Sequence, residues 1–142
     1  MRYFIDTNIF IRVLHKENEK LFQECLLLLQ SIKENEVEAF TGTVVLTEVV
    51  WTLSSFYKIS KAKIIEGVRG IININGLKVL DNYNQSLALT LFEKHSIKYI
   101  DALIASNEEV FTKKMTIVSY DRDFDKLPVN RQEPKDILAK LN

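Results

Sequence analysis

Residues 2–14 read RYFIDTNIFIRVL, and the reading of Asp6 within them decides the fold. Asp6 stands between Tyr3-Phe4-Ile5 and Ile9-Phe10-Ile11. An ionised carboxylate in such company is costly to desolvate unless something meets it. Residues 2–5 have the length and composition of a short buried strand, and NIFIRVLH (8–15) begins a helical pattern. A buried strand that ends in an acid and runs straight into a helix is the opening of an α/β layer structure.

The alternation continues along the chain. KLFQECLLLLQSIKE (20–34) predicts a strongly apolar helix and VEAF (37–40) a strand. Thr43 is a good N-cap for VVLTEVVWTLSSFY (44–57), a helix expected to bury most of its surface, Trp51 included. Ser60 caps KAKIIEGVRGIINI (61–74) in the same way, and Gly76 ends that segment. LKVLD (77–81) is the next strand, NQSLALTLFEKHS (84–96) a helix, and YIDALIASNEEVF (99–111) a further one. MTIVSYD (115–121) is the most strand-like stretch, and residues 122–142 are expected to add an edge strand and a last helix. Strands alternating with helices predict an α/β fold with a mostly parallel sheet, whose sites gather at the carboxyl ends of the strands. No repeat, low-complexity tract or linker interrupts the pattern, so one domain over residues 1–142 is expected.

Composition narrows the class. A hydrophobic fraction of 46% with 27% charged residues describes a folded globular chain. Lys plus Arg and Asp plus Glu balance at 19 each, which gives no global attraction to nucleic acid or membrane. A local basic rim around an acidic centre would cancel in that sum. The single cysteine, Cys25, rules out an internal disulfide and is expected to be a small buried thiol. Asp6 interrupts any signal-peptide core, and the apolar runs are too short to span a bilayer, so a cytoplasmic protein is the expectation.

Most acids lie in polar segments such as HKENEK and KENEVE and are ordinary solvated surface. Five are misplaced. Asp6, Asp81 and Asp121 end strands, Glu48 sits in VVLTEVVW, and Asp101 sits near the start of an apolar helix. Each has an ordinary explanation except Glu48, which caps nothing. Asp6 and Asp101 suit helix N-caps, and Asp81 and Asp121 suit turns. Collectively the balance changes, because two like charges about 4 Å apart repel by roughly 4 kcal/mol even at an effective dielectric of about 20. No His or Lys stands in their apolar flanks. All-oxygen ligation would suit Mg²⁺ or Mn²⁺, and one or two such ions have a common use in phosphodiester hydrolysis. A Cys/His zinc cluster, a P-loop, a GxSxG elbow and an HExxH helix are all absent.

FIDTNIFI, then TEVVWTL, YIDALIAS and IVSYDRDF, in that order over residues 3 to about 127, closely resemble the PIN-domain family. Within it the resemblance is nearest to VapC-type toxin ribonucleases of toxin–antitoxin modules. It implies a three-layer α/β fold, with a central mostly parallel sheet flanked by helices. It also implies a catalytic and metal-binding quartet of Asp6, Glu48, Asp101 and Asp121, with Asp123 as an auxiliary ligand. Asp81 matches nothing in the pattern and returns to a turn role. Thr7 and Asn8 would orient Asp6 by hydrogen bonds, and Ser119 would serve beside them or hold a water or phosphate oxygen. Ser106 stands where the family commonly has alanine.

The implied reaction is Mg²⁺- or Mn²⁺-dependent endonucleolytic cleavage of RNA, leaving a 5′-phosphate and a 3′-hydroxyl. Arg12, Lys98 and Arg122 are candidates for the RNA backbone, with Lys113 and Lys114 weighed beside them, and Tyr99 and Tyr120 for base stacking. The implied partners are an RNA substrate, a cognate antitoxin and a second copy of the chain, without a membrane. Two alternatives stand beside the toxin reading: a housekeeping RNA-processing nuclease, and a non-catalytic RNA- or protein-binding scaffold that would have lost acids. His15 and His95 receive no role.

Overall fold

The computed structural model describes residues 1–142. Its elements are β1 (Arg2–Ile5), α1 (Thr7–Leu14), α2 (Glu19–Lys33), β2 (Glu38–Gly42) and α3 (Thr43–Trp51). After a π-helical turn (Thr52–Phe56) come α4 (Lys61–Ile72), β3 (Leu77–Leu80), α5 (Gln85–Lys94), α6 (Tyr99–Ser106) and α7 (Glu108–Phe111). The chain ends with β4 (Met115–Val118), a 3-10 turn (Arg122–Lys126), β5 (Arg131–Gln132) and α8 (Pro134–Leu141).

All four strand pairings are parallel, in the order β3-β2-β1-β4-β5. Central parallel strands are covered on both faces, which is why β1 after Arg2 is wholly apolar and β4 is apolar except for Thr116. Tyr3, Phe4 and Ile5 are buried, as is every residue of β4. The chain first builds outward from β1 to β2 and β3, then crosses back to lay β4 on the other side of β1. The order therefore reverses between β1 and β4, and crevices at such reversals are where open α/β sheets bind ligands. Helix packing follows the crossovers: α1 packs on α2 and α3, α2 on α8, and α5 on α6.

Three expectations need correction. The first concerns α3. Val45, Val49 and Leu53 form its buried stripe, four residues apart, while Val50, Phe56 and Trp51 are exposed, Trp51 at 63%. The segment is apolar on every side, so its sequence could not say which side meets the sheet. Second, Thr43 is the first helical residue rather than the cap. Gly42 holds the cap position, and Asp81, beyond β3, accepts hydrogen bonds from the Thr43 amide (2.8 Å) and hydroxyl (2.5 Å). Asp81 is thus a helix cap supplied from the neighbouring strand, not a simple turn residue. A Cβ at Gly42 would displace the Tyr83 hydroxyl and crowd the Leu80 carbonyl at 3.1 Å. Third, residues 99–111 form two helices. Asn107 breaks them, and its Oδ1 caps α7 by accepting from the amides of Glu109 and Val110.

Candidate metal centre

Asp6 follows β1 and its amide extends the β1–β4 ladder to the Val118 carbonyl at 3.1 Å. It occupies the N-cap position of α1, yet its side chain caps nothing. Its Oδ2 instead accepts from the Ser119 hydroxyl at 2.7 Å and, more weakly, from Asn8 Nδ2 at 3.4 Å. The residue is 4% exposed. Burial pushes its carboxyl up to about 6, against the opposing pull of the Ser119 hydroxyl and the Thr7 amide; nearby Glu48 raises it further and Lys98 lowers it.

Asn8 and Ser119 form a staple between the two loops. Asn8 Nδ2 donates to Ser119 Oγ at 2.8 Å, and Asn8 Oδ1 accepts from the Tyr120 amide at 3.2 Å. Ser119 Oγ also accepts from the Asp121 amide at 3.0 Å. One donated and two accepted bonds exhaust a hydroxyl. Ser119 therefore has no capacity left for a water or phosphate oxygen, contrary to that part of the expectation. Thr7 departs differently, since its buried hydroxyl has no hydrogen-bond partner and does not orient Asp6.

Asp101 lies in the first turn of α6, two residues past its start, where Lys98 holds the cap position. The N-cap explanation thus fails for Asp101. It is 2% exposed, and its Oδ2 has no partner in the protein. Burial pushes its carboxyl up to about 7; Lys98 opposes the rise, and Asp6, Asp121 and Glu48 add to it. Asp121 follows β4, and its Oδ1 accepts from the Asp123 amide at 2.9 Å, which begins the 3-10 turn. One carboxylate oxygen each from Asp101, Asp121 and Asp123 lie within 4.8 Å of one another. Asp123 also pairs with Lys126 at 3.0 Å.

Across the cleft stands Glu48, half-buried on α3. Its Oε2 is 3.5 Å from Lys98 Nζ, which is also 4.0 Å from Asp121 Oδ2. A cleft of about 220 Å³ is lined by Asp6, Glu48, Asp121, Lys98 and Arg12, among others. The cation missing from the apolar flanks in sequence is therefore present in space, delivered by the residue that opens α6.

The remaining candidates separate. Arg12 lines the cleft, and Arg122 is exposed beside Asp121. Lys113 and Lys114 precede β4 and so lie at the opposite end of the sheet from the acids. The Tyr120 hydroxyl donates to Glu24 at 3.1 Å and approaches Cys25 Sγ at 3.5 Å, so that ring is committed to α2. Cys25 is buried, and its thiol is pushed up to about 11 by that burial, with Glu24 adding to the rise against the Tyr120 hydroxyl and Arg12. Tyr99 packs edge-on against Phe92 at 5.5 Å and donates to Gln85 at 3.0 Å. Ser106 is buried and accepts from the Asn84 amide at 3.1 Å.

The supporting roles of two residues escaped the sequence reading, which gave Asp81 a turn and Arg131 nothing. Asp81 caps the helix that carries Glu48. Arg131, on β5, grips Asp125 with two hydrogen bonds of 2.9 and 3.1 Å and donates to the Ser119 carbonyl at 3.0 Å. It thereby holds the loop that carries Ser119 and Asp121. No local pattern marks either one, because both act across strands.

Comparison with known proteins accords with this architecture. The family model described as PIN domain matches residues 3–130. No curated protein matches the chain. Among solved structures, VapBC2 from Rickettsia felis, bound to a DNA fragment from its promoter, is similar at 22% identity and a TM-score of 0.63, over 94% of this chain and 98% of that one. PAE2754 from Pyrobaculum aerophilum is similar at 13% identity and a TM-score of 0.69, over 99% and 95%. At these identities the structural likeness concerns the fold alone.

Proposed function

The chain belongs to the PIN-domain family, and from that premise we propose that it is a divalent-cation-dependent endoribonuclease, the toxin of a toxin–antitoxin module. One observation carries the reading: acids that follow β1 and β4 meet acids from α3 and α6 at the crevice where the strand order reverses, and one buried oxygen among them, Asp101 Oδ2, has no partner. A buried carboxylate without a hydrogen bond is costly to keep charged, and a cation would supply what the protein does not. The donor set is oxygen only, which fits Mg²⁺ or Mn²⁺ and not a thiolate-seeking metal.

Asp6, Glu48, Asp101 and Asp121 are the side chains that would hold the ion or ions, with Asp123, whose carboxylate oxygen lies within 4.8 Å of those of Asp101 and Asp121, as an auxiliary ligand. When bound, such an ion supplies an activated water and offsets the charge that builds up on a cleaved phosphodiester. The chain's own residues do the positioning. Ser119 and Asn8 hold Asp6 in one orientation, Asp81 holds the start of α3, and Arg131 holds the loop of Asp121. Arg12 and Arg122 offer cations to the RNA backbone beside the acids.

The partners belong to the same proposal. Val50, Trp51 and Phe56 leave α3 and the turn after it with an exposed apolar surface, and Ile65 and Ile72 continue it on α4. Exposed apolar groups gathered in this way suit a protein partner, here an antitoxin, and a second copy of the chain is also proposed. No helix is long and apolar enough to cross a membrane, and the proposed site of action is the cytoplasm, as one domain over residues 1–142. None of the four acids is missing from the sequence, which supports a nuclease over a scaffold.

The test is cleavage of a labelled RNA pool with Mg²⁺ or Mn²⁺ by the wild type and Asp6→Asn in parallel, with EDTA and a mock purification as controls. Cut fragments from the wild type alone, abolished by EDTA, are expected. Equal cutting by both proteins would overturn the assignment of the site.

A further inference from the structure

The wall of the cleft that carries Glu48 is shaped by an irregular turn. Residues four apart share a face of an α-helix, so Thr52 stands one turn beyond Glu48, and both line the cleft. A regular helix would bring Phe56 next. The π-helical turn adds a residue instead: the Tyr57 amide donates to the Thr52 carbonyl at 3.1 Å, five residues back. Tyr57 therefore follows Thr52 into the cleft, and Phe56 is left 70% exposed. A second wall comes from α1, where Asn8, Ile11 and Arg12 share a face. His15, at the end of α1, packs on the Tyr57 ring with centroids 4.1 Å apart and joins the two walls.

Two polar groups on these walls are unspent. Arg2 is gripped by Glu38 and Glu109, and Arg131 by Asp125 and Glu133. Arg12, half-buried in the cleft, makes neither an ion pair nor a side-chain hydrogen bond. A helical threonine commonly returns its hydroxyl to the carbonyl four residues back, and Thr47, Thr90 and Thr112 do so. The Thr52 hydroxyl forms no such bond. The other neutral groups here are occupied or shut away. Asn8 is committed to Ser119 and the Tyr120 amide, the Thr7 hydroxyl is buried, and the Tyr57 hydroxyl is held by Glu17, which pushes it above its ordinary range. Beside its acids the cleft thus keeps one unpaired guanidinium and one unpaired neutral hydroxyl.

A phosphate is met best by a guanidinium, and a sugar hydroxyl by a neutral group that both donates and accepts. A ribonucleotide carries both, and its 2′-hydroxyl is the group that separates RNA from DNA. At about 220 Å³ the cleft is smaller than the roughly 300–1,000 Å³ of a drug-sized ligand's pocket, which suits one sugar–phosphate unit of an extended strand. We propose that Arg12 and Thr52 form a subsite for the ribonucleotide adjoining the scissile phosphate. Arg12 takes its phosphate, and the Thr52 hydroxyl takes its 2′-hydroxyl. Helix α1 runs from Asp6 at its start to His15 at its end, so the subsite lies along the cleft from the acids toward the closed end at Tyr57. The choice of RNA over DNA is then made by one hydroxyl on the π-helical turn. This inference rests on the ribonuclease reading given above, and the experiment separates the two.

The experiment takes the RNA that the wild type cuts fastest in the labelled pool and remakes it with a single 2′-deoxy nucleotide at each position flanking the cut. With Mg²⁺ or Mn²⁺ present, kcat and KM are measured for wild type, Thr52→Val, Thr52→Ser and Arg12→Gln, from about 50 to 200 mM salt. Melting temperatures confirm that each variant is folded. For the wild type, one 2′-deoxy position next to the cut is expected to raise KM about threefold to tenfold, the scale of one hydrogen bond. Thr52→Val raises KM equally on the all-RNA strand and no longer responds to that position, while Thr52→Ser responds as the wild type does. Arg12→Gln raises KM about tenfold and flattens the slope of log KM against log salt by about 0.7, one phosphate contact on a single strand. A wild type indifferent to every 2′-deoxy substitution, a full deoxy response in Thr52→Val, or an unaltered salt slope in Arg12→Gln would overturn the subsite. No cleavage of any RNA by the wild type would overturn the ribonuclease reading itself, and this inference with it.

Discussion

Two regions of the cleft bury a carboxylate, and they do so in opposite ways. Around Asp6 the protein has built a receptor: Ser119 and Asn8 donate to the carboxylate, and the same two residues lock the loops after β1 and β4 together. Around Asp101 nothing comparable exists, and one oxygen is buried with no donor at all. Burial raises both acids. At Asp6, pushed up to about 6, the Ser119 hydroxyl and the Thr7 amide oppose that rise, while at Asp101, pushed up to about 7, only the charge of Lys98 opposes it. The contrast teaches which part of the site the fold completes by itself and which part, on the proposed function, a cation would complete. A protein that stabilised every acid equally would have no reason to bind one.

The sharpest way to break that contrast is to remove each carboxylate in turn. Asp6→Ala and Asp101→Asn are both expected to lose activity by on the order of 10²–10³-fold, read as initial cleavage rates in Mg²⁺. Their effects on the metal-free fold should diverge. Asp6→Ala strands the Ser119 and Asn8 donors and should cost about 1–3 kcal/mol in urea unfolding. Asp101→Asn removes an unbonded buried charge and should leave stability unchanged or improved. Equal destabilisation by both substitutions would abolish the distinction drawn here.

A second test uses pH. Each acid is raised in the folded chain above its ordinary value of 3.8, so the folded state holds these protons more tightly than the unfolded state does. Their contribution to stability is fully present below about pH 3.8 and is lost as pH rises through about 6 for Asp6 and about 7 for Asp101. With EDTA present, the melting temperature should lose about 5 °C or more across pH 5–7.5 on their account. Asp101→Asn should flatten the upper part of that fall, and saturating Mg²⁺ should oppose it by favouring the ionised forms. A Mg²⁺-independent profile would count against the cation.

The smallest expected difference is between two hydroxyls. Ser119→Ala removes three hydrogen bonds and should destabilise by about 1–3 kcal/mol. Thr7→Val replaces a buried hydroxyl that bonds to nothing, keeps the shape, and should fall within about 0.5 kcal/mol of the wild type in metal-free unfolding. A large loss for Thr7→Val would reveal a partner for that hydroxyl and redraw the boundary between the built and the bare regions.

Much of this was legible in the chain because parallel strands leave a plain signature. RYFI and MTIV are short apolar runs, and an acid soon after each marks where the sheet ends and the crevice begins. The order of Asp6, Glu48, Asp101 and Asp121 with their apolar frames carried the family resemblance, and the observed fold agrees with the one it implied. What was illegible depends on neighbours in space. Asp81 meets Thr43 only because β3 pairs with β2 in a register that places Leu80 beside Gly42. Lys98 is three residues from Asp101, yet it reaches Glu48 on another helix, so a search of apolar flanks could not find it. Trp51 was misjudged for a different reason. A segment apolar on every side carries no phase, and only packing decides which stripe is covered.

The bond between Asp81 and Thr43 has a dynamic consequence. β3 is an edge strand, hydrogen-bonded on one side only, and edges are among the first parts of a sheet to open in local fluctuations. Each opening would draw Asp81 off the first turn of α3 and loosen the helix under Glu48. The rate at which Glu48 wanders would then be set at the rim of the sheet, far from the chemistry. Amide hydrogen exchange reads this directly: protection of the Thr43 amide should rise and fall with that of β3, and Asp81→Ala should uncouple the two.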